Sequence, residues 1–489
     1  MRNSSLIVCL LLLCLVIRIL WFVGIGPNDD LSYIQHARNL GEGANILENG
    51  GSQLAFRLGM VLPLAVLYKA FGYTEAAFSA YPLICTLITC LFIYLTAESL
   101  WGRQTAVLAA LLWIVYPLQI VFDTQLSPSN QHAACVAAGL FFYIHAAKAL
   151  ENRAWPAWQG NAVLILSGAL MGVGWLVNEL FVLMGIAAIP VLIVLRPRAA
   201  YIYWALLGFA LIIFADMLIG YYASGSWFAR IFCIDATEKI VVSNKDPNYL
   251  PRTLFHVFNV NPIYDEGHFG ILWLLFIFVP LSAWYEKQWL ALGLSLSVWL
   301  IPAYLQWGVV SLEGEPITKY IRYLSMIVPL QCLATAAICS HMIQKHENWR
   351  WAIRSLFALM VIHLFIAGTN TAKAARIHTA DYRKIASVLL QNYKGDPVYT
   401  DHRTAIFVQL FSEGKLTFEI VENYSGKPKP LGGYLVVDGS ASVIEIPGYR
   451  AAMPSWYRIP PKNWDLIHVV AGENKARYDK FDPKIYQIN

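Results

Sequence analysis

The sequence predicts an α-helical polytopic membrane protein with a small α/β domain at its C-terminal end. Three observations predict it. The 489 residues are 57% apolar and only 14% charged, a balance that excludes an ordinary soluble enzyme. Apolar runs long enough to cross a bilayer recur through the first three quarters of the chain. Charges are scarce from Leu6 to Gly368 and frequent after it, which divides the chain into a membrane domain, 1–368, and a C-terminal domain, 369–489.

By the bilayer-length rule the expected spans are Ser5–Ile25, Ala76–Ala97, Thr105–Phe122, Gln131–Ala149, Ala162–Val177, Leu180–Leu195, Ile202–Ile219, Gly270–Trp284, Leu290–Trp307, Ile321–Met342 and Trp351–Ala367, about eleven in all. The first has one basic residue, Arg2, before it and no small-x-small cleavage site after it, so it reads as a retained anchor. A further apolar piece, Leu54–Phe71, is short, carries Arg57 and Lys69 near its ends, and reads as a helix lying in the interface.

Lys and Arg in the short loops set the orientation. Arg103, Lys148, Arg153, Arg196, Arg198, Lys287, Lys345, Arg350 and Arg354 fall on one side, with Arg2. That side is cytoplasmic, and an odd number of spans puts the C-terminal domain outside. There, Asp381–Asn392 reads as a helix and Pro397–Thr400, Leu416–Val421, Tyr434–Asp438 and Leu466–Val470 as strands. The domain has neither a GxGxxG fingerprint nor a GxSxG elbow. The formal charge of +5 comes with no basic run of nucleic-acid type. Seven of the eight cysteines lie in apolar runs, Cys233 in a polar loop, and no CxxC occurs, so neither a disulfide scaffold nor an evident metal site is expected. A divalent metal is left open.

The candidate site residues collect on the outer side. Asp29 and Asp30 follow the first span and open a helix that Gly41 and Gly43 stop. Either Asn28 or Asp29 caps that helix, or a carboxylate serves as a base facing a cavity; one acid can cap while the other reacts. Arg57 opens the interfacial piece, Glu179 follows Asn178 in a two-residue polar turn, and Lys319 and Arg322 stand at the mouth of a span. The alternative for the three cations is snorkelling to lipid headgroups, and for Glu179 a solvated turn. His132 and His145 read as hydrogen-bonded packing residues of one span. Nucleotide-activated donors are cytoplasmic, so an external transferase needs a donor carried in the membrane. A polyprenyl phosphate sugar fits: its leaving group is already an anion, which Arg or Lys must hold, and the acceptor hydroxyl needs a base.

In order along the chain stand Asp29-Asp30-Leu31-Ser32-Tyr33, the Ala37-Arg38-Asn39-Leu40 helix end, Arg57-Leu58-Gly59 running to Leu67-Tyr68-Lys69-Ala70-Phe71-Gly72, Ala97-Glu98-Ser99-Leu100-Trp101-Gly102-Arg103, Gly174-Trp175-Leu176-Val177-Asn178-Glu179 and Arg322-Tyr323-Leu324. Over roughly Ser5–Pro329 this order resembles the GT-C membrane glycosyltransferases of the protein O-mannosyltransferase and lipid A aminoarabinose transferase type. The resemblance implies an inverting transfer from a polyprenyl phosphate sugar to a cell-envelope lipid, glycan or protein. It makes Asp29 the base and Asp30 the second acid and sets Arg57 and Arg322 near the donor phosphate. Lys319, at the same span mouth as Arg322, is assigned to that phosphate too, and Tyr33 and Glu179 to support. The family often carries another acid after the third span; here the turn reads Leu126-Ser127-Pro128-Ser129-Asn130. A transporter or flippase of a lipid-linked saccharide is the competing expectation. It calls for matched internal repeats and broken helices, and no repeat is visible in the sequence.

Overall fold

The computed structural model describes residues 2–26, 29–45, 53–195, 197–233, 272–307, 326–393, 395–421, 430–437, 454–458, 460–470 and 483–488. Helices α1 (Arg2–Leu20), α2 (Asp30–Gly41), α3 (Leu58–Phe71), α4 (Glu75–Trp101), α5 (Arg103–Val115), α6 (Pro117–Phe122), α7 (Pro128–Glu151), α8 (Ala157–Val177), α9 (Leu183–Leu195) and α10 (Ala199–Ser224) form the first part of a bundle. A 3-10 turn, Glu179–Val182, joins α8 to α9. Helices α11 (Leu272–Tyr285), α12 (Trp289–Trp307), α13 (Val328–Lys345) and α14 (Arg350–Asn392) complete it. Five helices among the described residues are long and apolar enough to cross a membrane: Glu75–Trp101, Pro128–Glu151, Ala157–Val177, Ala199–Ser224 and the Glu347–Arg376 stretch. Others, such as Ser5–Leu20 and Arg103–Val115, are apolar but shorter. The described residues thus do not supply the expected count of eleven.

Proline accounts for one departure. The expected span Thr105–Phe122 is two helices, broken where Tyr116 turns extended ahead of Pro117. A residue before proline is pushed out of the helical region, and proline has no N–H to give the carbonyl four residues back, here that of Trp113. A distant side chain fills the gap. Arg18 of α1 donates to the carbonyl oxygens of Ile114 and, at 3.3 Å, Trp113. Its Nε lies 2.6 Å from Asp123 Oδ2, and both side chains are wholly buried. One guanidinium thereby joins α1, the broken end of α5 and the end of α6.

The last helix also differs from expectation. α14 runs 43 residues without a break through Thr369. At about 1.5 Å per residue it outreaches a bilayer core of about 30 Å, so one rod carries the chain from the bundle into the C-terminal domain. That domain adds α15 (His402–Phe411), α16 (Ser455–Arg458) and a five-stranded sheet of β1 (Val398–Thr400), β2 (Phe418–Ile420), β3 (Gly433–Val437), β4 (Asp465–Val469) and β5 (Lys484–Ile488). The order is β2-β1-β3-β5-β4. β1 runs parallel to β2 and β3, while β5 pairs antiparallel with β3 and β4. The four expected strands are present; β5, α15 and α16 are additions.

The domain shares a core with the outer helices. Tyr382, Ile385 and Leu389 of α14, Phe407 and Val408 of α15 and Val398 and Val436 of the sheet belong to one buried cluster with Ile25, Leu31, Ile34, Met60 and Leu64. Removing one partner of a buried ion pair strands the other charge, so Asp123→Ala should cost about 3–5 kcal/mol of stability. Its thermal midpoint in detergent should fall accordingly, and a midpoint equal to wild type would show that Arg18 finds compensation elsewhere.

Candidate active site

The described residues 22–26 after α1 have no regular structure, so their backbone N–H groups need partners from outside. All four from Val23 to Gly26 have one, and each is a side chain. Val23 and Gly24 donate to Thr124 Oγ1 at 3.1 and 3.3 Å. Ile25 donates to Glu75 Oε1 at 3.1 Å. Gly26 donates to Asp30 Oδ2 at 2.8 Å, and the same oxygen accepts from Leu126 N at 3.1 Å. Gly24 has φ +80°, and a Cβ there would lie 2.0 Å from Glu75 Oε1, so only glycine admits the Glu75 carboxylate. Glu75 is gripped in turn by both terminal nitrogens of Arg383, on α14. The C-terminal helix thus reaches the loop through one carboxylate.

Asp29 and Asp30 divide sharply. Asp30 is buried and holds the loop to the start of α7. Asp29 precedes α2 with helical backbone angles and makes no side-chain capping bond; its carbonyl accepts from Tyr33 N at 3.0 Å. Capping by Asp29 is therefore not what the geometry shows, and Asn28 lies outside the described residues.

Three other predicted residues come together. Arg57 donates from Nη2 and Nε to the two oxygens of Glu179, at 2.7 and 3.3 Å, and from Nη1 to the Tyr33 hydroxyl at 2.6 Å. Gln53 Nε2 adds a bond to Glu179 Oε1 at 2.5 Å. Arg57 is only 5% exposed, so it does not snorkel, and Glu179 is not a solvated turn. The approach depends on Gly59, where a Cβ would sit 2.7 Å from Val177 N; its absence lets the start of α3 lie against the end of α8. Burial pushes the Glu179 carboxyl up, but Arg57 outweighs it and brings it down to about 2. Burial raises the Tyr33 phenol, which therefore stays a neutral donor and acceptor. Lys319 and Arg322 lie outside the described residues.

The sequence reading missed a second pair behind this one. Arg230 Nη1 meets Asp216 Oδ2 at 3.1 Å and the Trp175 carbonyl at 3.0 Å, while Nη2 takes the carbonyls of Phe56 and Leu176 at 2.6 and 3.0 Å. Trp175 Nε1 donates to the same Asp216 oxygen at 2.9 Å. Arg18 was missed in the same way. The signal was available for two of them: Arg18 and Asp216 are each a single charge inside an apolar run, Leu6–Ile25 and Ile202–Ile219. The His132 ring packs 5.1 Å from Phe181, and its Nε2 is buried with no hydrogen-bond partner among the described residues.

No three His, Cys, Asp or Glu gather to hold a metal among the described residues. Asp30 gives one carboxylate oxygen to two amides, and the turn before α7 offers hydroxyls and amides in place of an acid. The described residues by themselves thus offer no set of acids for a divalent ion. What the described residues bring together is the Arg57 guanidinium, the Glu179 carboxylate and the Tyr33 hydroxyl, with Asp29 one helical turn before Tyr33.

Residues 61–219, from α3 to α10, match the family model of dolichyl-phosphate-mannose-protein mannosyltransferases. The fold superposes on ArnT from Cupriavidus metallidurans in the apo state, with a TM-score of 0.59 and 13% identity over 100% of this chain and 99% of that one. The chain has the GT-C fold. ArnT bound to undecaprenyl phosphate gives a TM-score of 0.55 at 13% identity, covering 99% and 98% of the two chains. The Archaeoglobus fulgidus oligosaccharyltransferase tethered to an acceptor peptide gives 0.54 at 12%, over 90% of this chain and 69% of that one. No curated protein matches the chain by sequence.

Two outcomes test the geometry. Arg383→Gln should release Glu75 and loosen the loop. Amide hydrogen exchange at Val23–Gly26 should speed up, and wild-type protection would show that the Glu75–Arg383 pair does not hold the loop. For Glu179 the folded carboxyl titrates below its ordinary value, so its contribution to stability is complete above about pH 4.3 and is lost as pH falls toward about 2. Glu179→Gln should flatten that part of the acid-stability curve, and a superimposable curve would refute the pairing.

Proposed function

We propose that the chain is an inverting glycosyltransferase that moves a sugar from a polyprenyl phosphate donor to a lipid, glycan or protein acceptor at the outer face of a cell membrane. The observation that carries this reading is the buried Tyr33–Arg57–Glu179 group, with Asp29 one helical turn before Tyr33, its carbonyl accepting from Tyr33 N at 3.0 Å. The GT-C fold supports it, as does the match over residues 61–219.

In this reading Asp29 takes the proton of the acceptor hydroxyl. The hydroxyl oxygen attacks the anomeric carbon as the bond from that carbon to the phosphate oxygen breaks, and the phosphate leaves with the electron pair. Attack opposite the leaving group inverts the anomeric centre. The polyprenyl phosphate is an anion before and after, so the site needs a cation rather than a general acid. Arg57 supplies it, with Glu179 and Tyr33 fixing its fork, and Lys319 and Arg322 are the further cations assigned to the donor. Arg57 is already held by a carboxylate, so it acts as a preset part of the surface and does not swing to meet the phosphate. The basic short loops support a cytoplasmic N-terminus and an external C-terminal domain.

Asp29→Asn should keep the fold and donor binding while lowering single-turnover transfer by about 10²–10⁴. Asp30→Asn keeps an oxygen for the two amides and should be milder. Wild-type turnover in Asp29→Asn would refute the base, and a dead Asp30→Asn beside an active Asp29→Asn would exchange the two roles. Arg57→Ala should weaken donor binding by about 1.5–3 kcal/mol, as for a lost charge-assisted bond; unchanged affinity would remove Arg57 from the donor site. Glu413 is exposed at the edge of the C-terminal domain, and a cysteine there should react with an impermeant thiol reagent from outside. Labelling only after lysis of that membrane would reverse the orientation.

A further inference from the structure

Buried groups without hydrogen-bond partners concentrate at the start of α7. Within six residues, Ser127 Oγ, Ser129 Oγ, both ends of the Gln131 amide and His132 Nε2 are buried with no partner among the described residues. None of the four side chains belongs to a residue more than 3% exposed. Leaving such groups unmatched is costly, and native structures keep them for a reason. Careless packing is not the reason here. Asn130, in the middle of the run, is satisfied: its Nδ2 donates to the Pro82 carbonyl at 2.9 Å and to Thr86 Oγ1 at 3.0 Å. The face toward α4 is finished, while the remaining polar groups of the turn are buried without partners among the described residues.

Ser127 stands at the N-cap, where a serine ordinarily accepts an amide hydrogen of the first turn, and here it makes no capping bond. Ser127 and Gln131, four apart, share one side of the helix, and Ser129 and His132, three apart, share the next. The turn adjoins the Asp pair, since Leu126 N donates to Asp30 Oδ2 at 3.1 Å.

We infer that the first turn of α7 is the subsite for the sugar ring of the donor, and that it reads a neutral, hydroxylated ring. This rests on the glycosyltransferase reading above. The chemistry of the groups decides between ring and phosphate. A phosphate oxygen only accepts, and would leave the Gln131 oxygen unmatched. Ring hydroxyls both donate and accept, as do the serines and the two ends of the glutamine together. Ser127, Ser129 and Gln131 carry no charge, so they offer nothing specific to an amino sugar or a sugar acid.

The test uses the purified full-length chain with Gln131→Leu and, separately, Ser127→Ala, which removes a single oxygen. Three quantities are read: the thermal midpoint, affinity for undecaprenyl phosphate without a sugar, and kcat/KM with the glycosylated polyprenyl phosphate fraction extracted from the native membrane. The expected result is a midpoint equal to or above wild type, undecaprenyl phosphate affinity within twofold, and kcat/KM at least tenfold lower in both. Unchanged kcat/KM with a lowered midpoint would mean that the groups hold structural water only, and would overturn the proposal. So would a parallel loss of undecaprenyl phosphate affinity, which would assign them to the phosphate. If Gln131→Leu does not fold, Ser127→Ala decides by the same criteria. A wild-type chain that fails to bind undecaprenyl phosphate would instead refute the donor reading itself.

Discussion

The hydrogen bonding of four consecutive amides, Val23 to Gly26, is the constraint on which the site depends. Thr124, Glu75 and Asp30 each receive part of it. A buried amide left unpaired costs about 1–3 kcal/mol, so the loop, the start of α4, the turn after α6 and the first turn of α2 hold one another in place. Asp30, the first residue of α2, is fixed by the same bonding, since one of its oxygens accepts from Gly26 and Leu126.

The arginines solve a second problem with the same economy. Arg18, Arg57 and Arg230 are buried and each faces a carboxylate. A buried ion pair is poor evidence of net stability, but it specifies geometry closely because the mispaired alternative is so costly. Arg18 and Arg230 do more, since each also donates to carbonyls at helix ends: Trp113 and Ile114 beside the Pro117 break, and Trp175 and Leu176 at the end of α8. Non-helical backbone inside a membrane protein is tolerated where protein groups satisfy it. The breaks that gather polar groups around the site are therefore stabilised by the same side chains that neutralise its charges.

The C-terminal domain takes part in this arrangement directly. Its core residues are continuous with those of α2 and α3, and Arg383 reaches through Glu75 to the loop. The 43 residues of α14 make that reach stiff. A domain so joined sets the position of the loop as well as standing outside the bundle.

The sequence by itself determined the helical class, the break in charge content, four of the five strands, and the Asp pair, Arg57 and Glu179 as candidates. These follow from local properties: length of apolar runs, alternation, and the rarity of charge among apolar residues. Only the tertiary structure decided which charges pair, that Asp30 holds the loop while Asp29 makes no cap, that Arg18, Asp216 and Arg230 belong to the buried network, and that one helix crosses the expected domain boundary. A helix uniformly apolar around its circumference, as α10 is over most of its length, carries no stripe to say which face turns inward. Partner choice then rests on contacts such as Arg57 with Glu179, 122 residues apart, and Arg18 with Asp123, 105 apart. No local pattern encodes a pairing across that distance; it is fixed by which helix ends meet once the bundle packs.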